Sequence, residues 1–485
     1  MTGSWYNYYC QVLGPAFINQ ERKGGIMIAK SIITSVLEAA LSTGGDFAEL
    51  FIEDTSKSSI NFLDGQLEST QTGRDFGVGI RIFNEMNCIY AYTNSFDKES
   101  LIKTALKAAQ AVRGNTSGID IVLNETKPVS IHDIQIMPAS ISKKEKLDLV
   151  KVGYYSAKGY DPIISQASVR YLDVTQNIAI ANTEGLYVED DRTHTRVLVN
   201  AIAEKDGQMQ TGSVAPGAHM GFEFAKSLDI KAIGEEAARM AKVMASADYC
   251  KAGVIPVVID NAFGGVIFHE ACGHGLEATS IAKGTSVFTS KLGEKIAPDI
   301  VTAIDDGTIP NAWGSANIDD EGGKTRKNIL IENGVLKSYL IDKFNGRKMK
   351  MESTGSGRRQ SYRFAPTSRM TNTYIANGQS TQAQIIENTE NGLYAKELGG
   401  GSVNPGTGEF NFSVREGYMI RNGKIAEPVR GATLIGKGLD VLKKIDMVGN
   451  NMDMGQGMCG SSSGSIPANV GQPTIRISSI TVGGR

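Results

Sequence analysis

Apolar positions recur at helical spacing in two segments that flank a run of strand-like alternation near the N-terminus. The two helical segments are IAKSIITSVLEAALSTGG, from residue 28, and DKESLIKTALKAAQAVRGN, from residue 97. Between them, four strand-like runs are broken by turns at Asp64-Gly65 and Asn84-Glu85. A helix, an antiparallel meander and a second helix predict one α+β part over residues 27–115.

The pattern changes twice along the rest of the chain. Residues 116–250 contain helical patterns around SKKEKLDLVKVGYYSAKG and IKAIGEEAARMAKVMASA, with β-like runs between them, which predicts a middle α+β part. Residues 251–485 show short Val/Ile runs separated by glycine-rich turns, which is typical of a mostly β, roll-like domain. The predicted fold class is α+β: an N-terminal α/β region with an antiparallel sheet and flanking helices, then a β-rich C-terminal domain.

Residues 1–26 lack this patterning, and regular periodicity begins only at Met27. The codons for Lys23-Gly24-Gly25, just before that methionine, can read as a purine-rich ribosome-binding site. We therefore expect residues 1–26 to be a non-native or flexible extension, with the native chain beginning at Met27. Detection of residues 1–26 on the cellular protein by mass spectrometry would contradict this.

Charge and cysteine content exclude several classes of protein. Fifty Lys and Arg residues stand against 52 Asp and Glu, a formal net charge of −2, so no global basic field favours nucleic acid as a partner. An odd, scattered set of cysteines argues against a disulfide framework and fits a reducing compartment: Cys10, Cys88, Cys250, Cys272 and Cys459. With no run of 18 apolar residues and no secretory signal pattern, we expect a cytoplasmic protein without a membrane span.

The candidate chemistry lies in one short segment of the C-terminal part. Two of the chain's five histidines occur there in the pattern H-E-x-x-x-H, at His269, Glu270 and His274. This spacing is one residue longer than the H-E-x-x-H of common zinc proteases. Residues i and i+5 lie about 140° apart on a regular α-helix. Both imidazoles reach one metal only if the helix is distorted, by a π-bulge or a break, and Gly273 is the expected place.

A catalytic zinc site takes three protein ligands and keeps a fourth position open. His269 and His274 supply two ligands, and Glu270 is the expected general base for the metal-activated water. The candidates for the third ligand are Glu277, Cys272, Cys459 and a distant acid, and spacing alone does not choose among them. Cys459 lies in a glycine-flanked turn, where a thiolate can approach a metal.

The segment HEACGHGLEA resembles the motif of the TldD/PmbA family of metalloproteases, specifically its TldD-type, metal-bearing subunit. Three further stretches are similar to that family: TGSGRRQSY with RMTNT (residues 354–362 and 369–373), the glycines at 399–401 with residues 408–410, and residues 459–473. The resemblance extends over essentially residues 27–485. It implies a zinc ion held by His269, His274 and Cys459, with Glu270 as the base.

The resemblance also implies a fold, a substrate and a partner. Family members combine an α/β N-terminal region with a β-rich C-terminal domain, and they bind unfolded peptides or peptide leaders in a cleft beside an added strand. They act as dimers, so we expect a homodimer or a heterodimer with a related metal-free subunit. Within the basic stretch of the C-terminal part, the predicted substrate-binding residues are Arg358, Arg359, Tyr362 and Arg369.

The sequence therefore predicts a zinc-dependent peptidase that hydrolyses unstructured peptides. Two alternatives remain open. One is a non-catalytic binding or assembly subunit of a protease complex, although retention of the metal motif argues against it. The other is a thiol hydrolase that uses Cys459 as its nucleophile, which leaves Glu270 beside His269 unexplained.

Overall fold

The computed structural model describes residues 28–112, 114, 120–404 and 406–484. The predicted extension at residues 1–26 lies outside this described part of the chain. Within it, no helix combines the length and the apolar character needed to cross a membrane.

Long strands and amphipathic helices make up the N-terminal half. Two of the helices begin at a capping residue: the side chains of Asp97 and Ser142 accept hydrogen bonds from the first-turn N–H groups of Ser100 and Glu145. The elements in chain order are α1 (Lys30–Leu41), β1 (Phe47–Leu63), β2 (Gln66–Asn84), β3 (Asn87–Thr93), α2 (Lys98–Ala109), β4 (Asn124–Thr126), α3 (Lys143–Lys158), β5 (Ile164–Asn182), β6 (Leu186–Lys205), β7 (Gln208–Val214), β8 (Gly217–Ala218), α4 (Phe222–Ser227) and α5 (Ile230–Ala245).

One eight-stranded sheet unites these strands, in the order β3-β2-β1-β5-β6-β4, with β7 and β8 also paired to β6. The predicted turns occur at Asp64-Gly65 and Glu85, where the backbone takes positive φ. The four predicted runs form three strands. Residues 55–57 stay extended and join the first run to the start of the second in β1, and residues 71–76 join the end of the second run to the third in β2. The predicted parts 27–115 and 116–250 thus share a sheet, and the domain limits stay a prediction.

The C-terminal half is mostly β. Its elements in chain order are β9 (Asp248–Tyr249), β10 (Gly253–Ile259), α6 (Val266–Ala271), α7 (Ala278–Ile281), β11 (Ala303–Asp306), β12 (Lys327–Glu332), β13 (Val335–Leu336), α8 (Lys343–Met349), β14 (Gly357–Arg358), β15 (Thr367–Ser368), β16 (Asn372–Ile375), α9 (Gln382–Glu387), β17 (Asn391–Val403), β18 (Glu409–Arg421), β19 (Lys424–Arg430), β20 (Thr433–Lys437), α10 (Gly438–Lys443), β21 (Ile445–Val448), β22 (Asp453–Ser461), β23 (Gly464–Gln472) and β24 (Ile475–Gly483). Short 3-10 helices lie at Pro138–Ser140, Ala262–Gly265 and Gly273–Leu276.

Two sheets surround the main C-terminal core. In the first, the strands run β17-β10-β24-β20-β18, and pairing of β17 with β18 closes them into a barrel-like ring. The second has the order β13-β12-β11-β16-β23-β22, which leaves β22 at an edge. Helix α6 contacts strands of both sheets and contributes Val266, Ile267 and Phe268 to the core. This arrangement confirms the predicted α+β fold with a mostly β C-terminal domain.

Buried ion pairs join the N-terminal sheet to C-terminal loops. The carboxylate of Glu49 on β1 lies 2.6 Å from a guanidinium nitrogen of Arg81 and 2.6 Å from one of Arg359. Arg81 also reaches Glu321 at 2.7 Å. All four side chains are almost fully buried, so each charge depends on the others for compensation. The two halves are therefore held together by polar as well as apolar contacts.

Candidate metal centre

The predicted distortion of the H-E-x-x-x-H helix is a break rather than a π-bulge. Helix α6 ends at Ala271, and the backbone of Cys272 leaves the helical region with φ −128° and ψ −49°. The chain then continues as the 3-10 helix that contains His274. Gly273 lies at this junction, where an added Cβ would be 2.2 Å from the sulfur of Met370. The break turns His274 toward the same side as His269.

Cys459 reaches this helix through strand pairing. It lies on β22 opposite Ile466 of β23, and its side chain is buried. At Gly265, just before α6, an added Cβ would lie 2.4 Å from the backbone of Gly471 on β23. The absence of a side chain at this position allows the start of α6 to pack directly on the strand that pairs with β22.

Three donor atoms converge as a result. The sulfur of Cys459 lies 3.3 Å from Nε2 of His269 and 3.3 Å from Nε2 of His274. The donor atoms of the three residues all lie within 4.8 Å of one another. Tetrahedral zinc, with bonds of about 2.1 Å to nitrogen and 2.3 Å to sulfur, separates such donors by roughly 3.6 Å. The arrangement therefore fits a zinc ion.

The charges around the thiol favour its metal-binding form. Burial raises the pKa of Cys459, but the charge of His269 and hydrogen bonds from both imidazoles outweigh burial and lower this pKa to about 3. Burial lowers the pKa of His274, but the charge of Glu277 and hydrogen bonds with Cys459 and Glu277 raise it well above its usual value. The thiolate is the form of cysteine that binds metals.

The two glutamates of the segment lie on different sides of His274. A carboxylate oxygen of Glu270 is 3.6 Å from Nε2 of His274, the nitrogen that faces Cys459. The Glu270 side chain is 27% exposed. Glu277 instead approaches Nδ1 at 3.1 Å and is buried. Cys272, another candidate ligand, lies in the apolar core, where burial raises its thiol pKa. Of the candidates named from the sequence, the structure brings Cys459 to the two imidazoles.

The four predicted substrate-binding residues have internal partners. Arg359 pairs with Glu49, Arg369 donates to Ser463, Gly464 and Cys459, and both guanidinium groups are buried. The Tyr362 ring is buried, and its N–H donates to Glu53. The polar groups of these three residues contact other segments of the chain, and their role in substrate binding stays a prediction. Half-buried Arg358 donates to the carbonyl of Met370, and its role stays a prediction.

Sequence reasoning missed how Glu277 and Arg369 take part in the centre. The sequence predicts Glu277 only as a candidate ligand, yet its carboxylate contacts Nδ1 of His274, the nitrogen that faces away from Cys459. The signal was present, because a Glu three residues after a His on a helical turn lies beside it. The contact of Arg369 with the Cys459 carbonyl has no local signal, since 90 residues separate the two.

Comparisons with known proteins give consistent matches along the chain. Three family models match in sequence order: PmbA/TldA metallopeptidase domain 1 at residues 48–112, the central domain at 136–245 and the C-terminal domain at 252–484. The metalloprotease TldD homolog of Haemophilus influenzae is 37% identical, with 90% of this chain and 93% of that protein covered. The zinc metalloprotease TldD homolog of Saccharolobus solfataricus is 26% identical, with coverage of 92% and 99%.

Solved structures share the fold. TM0727 of Thermotoga maritima, a candidate modulator of a DNA gyrase, superposes with a TM-score of 0.77 at 24% identity, covering 94% of this chain and 100% of that one. TldE of Thermococcus kodakarensis gives a TM-score of 0.74 at 18% identity, with coverage of 93% and 100%. Since the family models together extend from residue 48 to residue 484, and a relative above 30% identity covers nine-tenths of the chain, this protein belongs to the PmbA/TldD family of metallopeptidases.

Proposed function

We propose that the protein is a zinc-dependent peptidase that hydrolyses unstructured peptides or peptide leaders. The observation that carries this proposal is the convergence of His269, His274 and Cys459 beside the accessible carboxylate of Glu270. The names of its relatives, metalloprotease and in one case zinc metalloprotease, support the reaction class and the metal.

Each side chain has a distinct role in this reaction. His269 and His274, through Nε2, and Cys459, through Sγ, hold the zinc ion, which when bound supplies Lewis-acid activation of the scissile carbonyl and of water. Glu270 accepts the proton of the attacking water and delivers it to the leaving amine. Glu277 cannot share that role, because it lies at the opposite nitrogen of His274 and is buried.

The surroundings of β22 support an extended peptide as substrate. This strand is at the edge of its sheet and carries Cys459. A crevice of about 500 Å³ runs between the two halves of the chain, and its lining includes Phe263, Gly455 and Gln456. An extended peptide that adds to a sheet edge is recognised mainly through its backbone, which suits substrates without a fixed fold.

We further propose a cytoplasmic enzyme that acts as a homodimer or with a related metal-free subunit. The shared fold with TldE supports a partner of the same architecture. Light scattering of the purified protein distinguishes the two arrangements. A mass of twice the 51.9 kDa chain indicates a homodimer, whereas a monomer that associates only with a related chain indicates the heterodimer.

The direct test measures hydrolysis of an unstructured peptide by the zinc-loaded protein and its Glu270→Gln variant. Loss of the general base is expected to lower kcat by about 10²- to 10⁴-fold with zinc content unchanged. Glu294→Gln, which alters an exposed glutamate paired with Lys291, is the matched control and retains full activity. Equal rates for Glu270→Gln and the wild type would contradict the proposed base.

Chelation separates the alternatives. The zinc mechanism predicts that a chelator abolishes hydrolysis and that added zinc restores it. A thiol hydrolase would keep its activity in chelator and lose it on alkylation of Cys459. A binding or assembly subunit would hydrolyse no peptide in either condition.

A further inference from the structure

Two charged side chains at the centre have no place among the donor atoms or the proton-transfer groups. Glu277 and Arg369 are both buried, and the Nε atom of Arg369 lies 3.9 Å from Oε1 of Glu277. That Nε is buried without a hydrogen-bond partner in the described part of the chain. Burying two charges costs free energy unless they are paired. The position of this pair beside His274, a proposed metal ligand, therefore indicates a role at the centre.

The contact of Glu277 determines which nitrogen of His274 is available. Nδ1 of His274 lies 3.1 Å from Oε1 of Glu277, and a carboxylate only accepts hydrogen bonds, so Nδ1 carries the proton. When Nε2 gives up its own proton to bind a metal, the ring is neutral and Nε2 presents its lone pair. Nε2 is the atom that faces Cys459 at 3.3 Å. The glutamate thereby sets both the tautomer and the ring orientation needed for a metal ligand.

Arg369 reaches the other ligand from the same position. One of its terminal nitrogens donates to the carbonyl oxygen of Cys459, and the other donates to the Ser463 hydroxyl and the Gly464 carbonyl, both at 2.9 Å. These contacts hold the hairpin between β22 and β23 in place. A single guanidinium therefore contacts the backbone of Cys459 and also faces Glu277, the carboxylate that orients His274. Cys459 and His274 are 185 positions apart in the chain.

We propose that Glu277 and Arg369 are positioning residues that set the metal affinity of the centre. Glu277 fixes His274, and Arg369 holds the Cys459 strand while its charge compensates Glu277. The inference rests on the proposed function in that it takes zinc as the bound metal.

The test is the zinc dissociation constant, measured on the full-length protein by competition with a chelator of known affinity. Glu277→Ala is expected to weaken zinc binding by about 10- to 100-fold, the usual effect of removing such a partner. Glu277→Gln is expected to lose less, because its amide oxygen still accepts the Nδ1 proton. Arg369→Lys is expected to weaken binding as well, since the single nitrogen of lysine replaces two terminal nitrogens that donate in different directions, one to Cys459 and the other to Ser463 and Gly464.

Glu416→Gln is the control, because it alters another buried carboxylate of the same domain, paired with Arg239 and Lys396. Its zinc affinity is expected to equal that of the wild type. Cobalt-substituted protein adds a spectroscopic readout. In Glu277→Ala the thiolate-to-cobalt absorption is expected to shift while one metal per chain is still bound at saturation.

Wild-type affinity in both Glu277 variants would overturn the proposal. If Glu277→Ala misfolds, the near-isosteric Glu277→Gln decides, since a structural role alone leaves its zinc affinity unchanged. If Glu277→Gln and Glu277→Ala both fail to bind one metal per chain, Glu277 is itself a ligand, and this result would also overturn the positioning role. A wild type that binds zinc but cleaves no peptide would contradict the proposed function and leave this inference intact.

Discussion

The sulfur of Cys459 lies 3.3 Å from Nε2 of His269, although 190 residues separate them in the chain. The contact depends on the packing of α6 against β23 and on the pairing of β23 with β22. The three donor atoms therefore meet only when the C-terminal half is folded. We therefore expect metal binding and folding of this half to be coupled, because the unfolded chain has no preformed site.

Zinc is accordingly expected to stabilise the folded protein. At free zinc of about 100 times its dissociation constant, the free energy of unfolding rises by about 2.7 kcal/mol. Thermal unfolding with and without a chelator measures this effect. Glu270→Gln is expected to keep the zinc-dependent shift in Tm, and Cys459→Ala is expected to lose it. A shift of the same size in Cys459→Ala would show that the thiol does not bind the metal.

Substitution of Gly265 is expected to disturb the centre through sterics alone. Its backbone has φ −60° and ψ −11°, which any residue adopts, but an added Cβ would lie 2.4 Å from the backbone of Gly471. Gly265→Ala is therefore expected to cost about 1–3 kcal/mol of stability and to weaken zinc binding, measured by denaturant unfolding and chelator competition. Gly400→Ala is the control, since no atom lies within 4 Å of its added Cβ.

The sequence predicted the parts of the centre that lie within one short segment. The spacing of His269 and His274 requires a distorted helix, and the structure has a break beside Gly273. Spacing could not select Cys459, because its position depends on strand pairing across the second sheet. The helices α2, α3 and α5 were predictable from their apolar spacing, which is a local property.

Long-range pairing explains which contacts the sequence alone could not reveal. Arg359 belongs to a basic stretch that resembles an exposed binding loop, yet its partner Glu49 lies 310 residues earlier. Burial of such an arginine depends on a carboxylate that no local pattern identifies. In the same way, residues 55–57 lie in a gap between the first two predicted strand runs, and pairing with the two neighbouring strands keeps them extended.

The buried pair around Glu49 gives a stability prediction. Glu49→Gln leaves the buried guanidinium groups of Arg81 and Arg359 short of a counter-charge, so a loss of about 3–5 kcal/mol is expected. Denaturant unfolding at pH 7 measures it. Glu125→Gln, which alters an exposed pair with Lys30, is the control and is expected to change little. Equal effects of the two substitutions would contradict the role of the buried pair.

Three histidines outside the metal centre predict an acid-sensitive stability. The rings of His132 and His219 stack with centroids 3.6 Å apart, and those of His194 and His219 with centroids 4.3 Å apart. Burial, reinforced by the charge of Arg192, lowers the pKa of His132 to about 4 and that of His194 to about 3. A histidine in the unfolded chain titrates near pH 6.5. Between about pH 6.5 and 4 the unfolded chain therefore binds more protons, and stability falls as the pH falls.

His132 is expected to contribute about 3 kcal/mol to the free energy of unfolding. This contribution is fully present above about pH 6.5 and is lost toward pH 4. Denaturant unfolding of metal-free wild type and His132→Gln at several pH values measures it. The decline in the free energy of unfolding is expected to be shallower in the variant. Parallel curves for the two proteins would show that His132 does not titrate in this window.

Metal content of the purified protein, measured by mass spectrometry, is the direct test of zinc binding by His269, His274 and Cys459. The samples are the wild type, His269→Ala and Cys459→Ala, each reconstituted with zinc and freed of excess metal. The proposed centre predicts about one zinc per chain in the wild type and its loss in both variants. Zinc retained in Cys459→Ala, or a wild type that holds no metal after reconstitution, would contradict it.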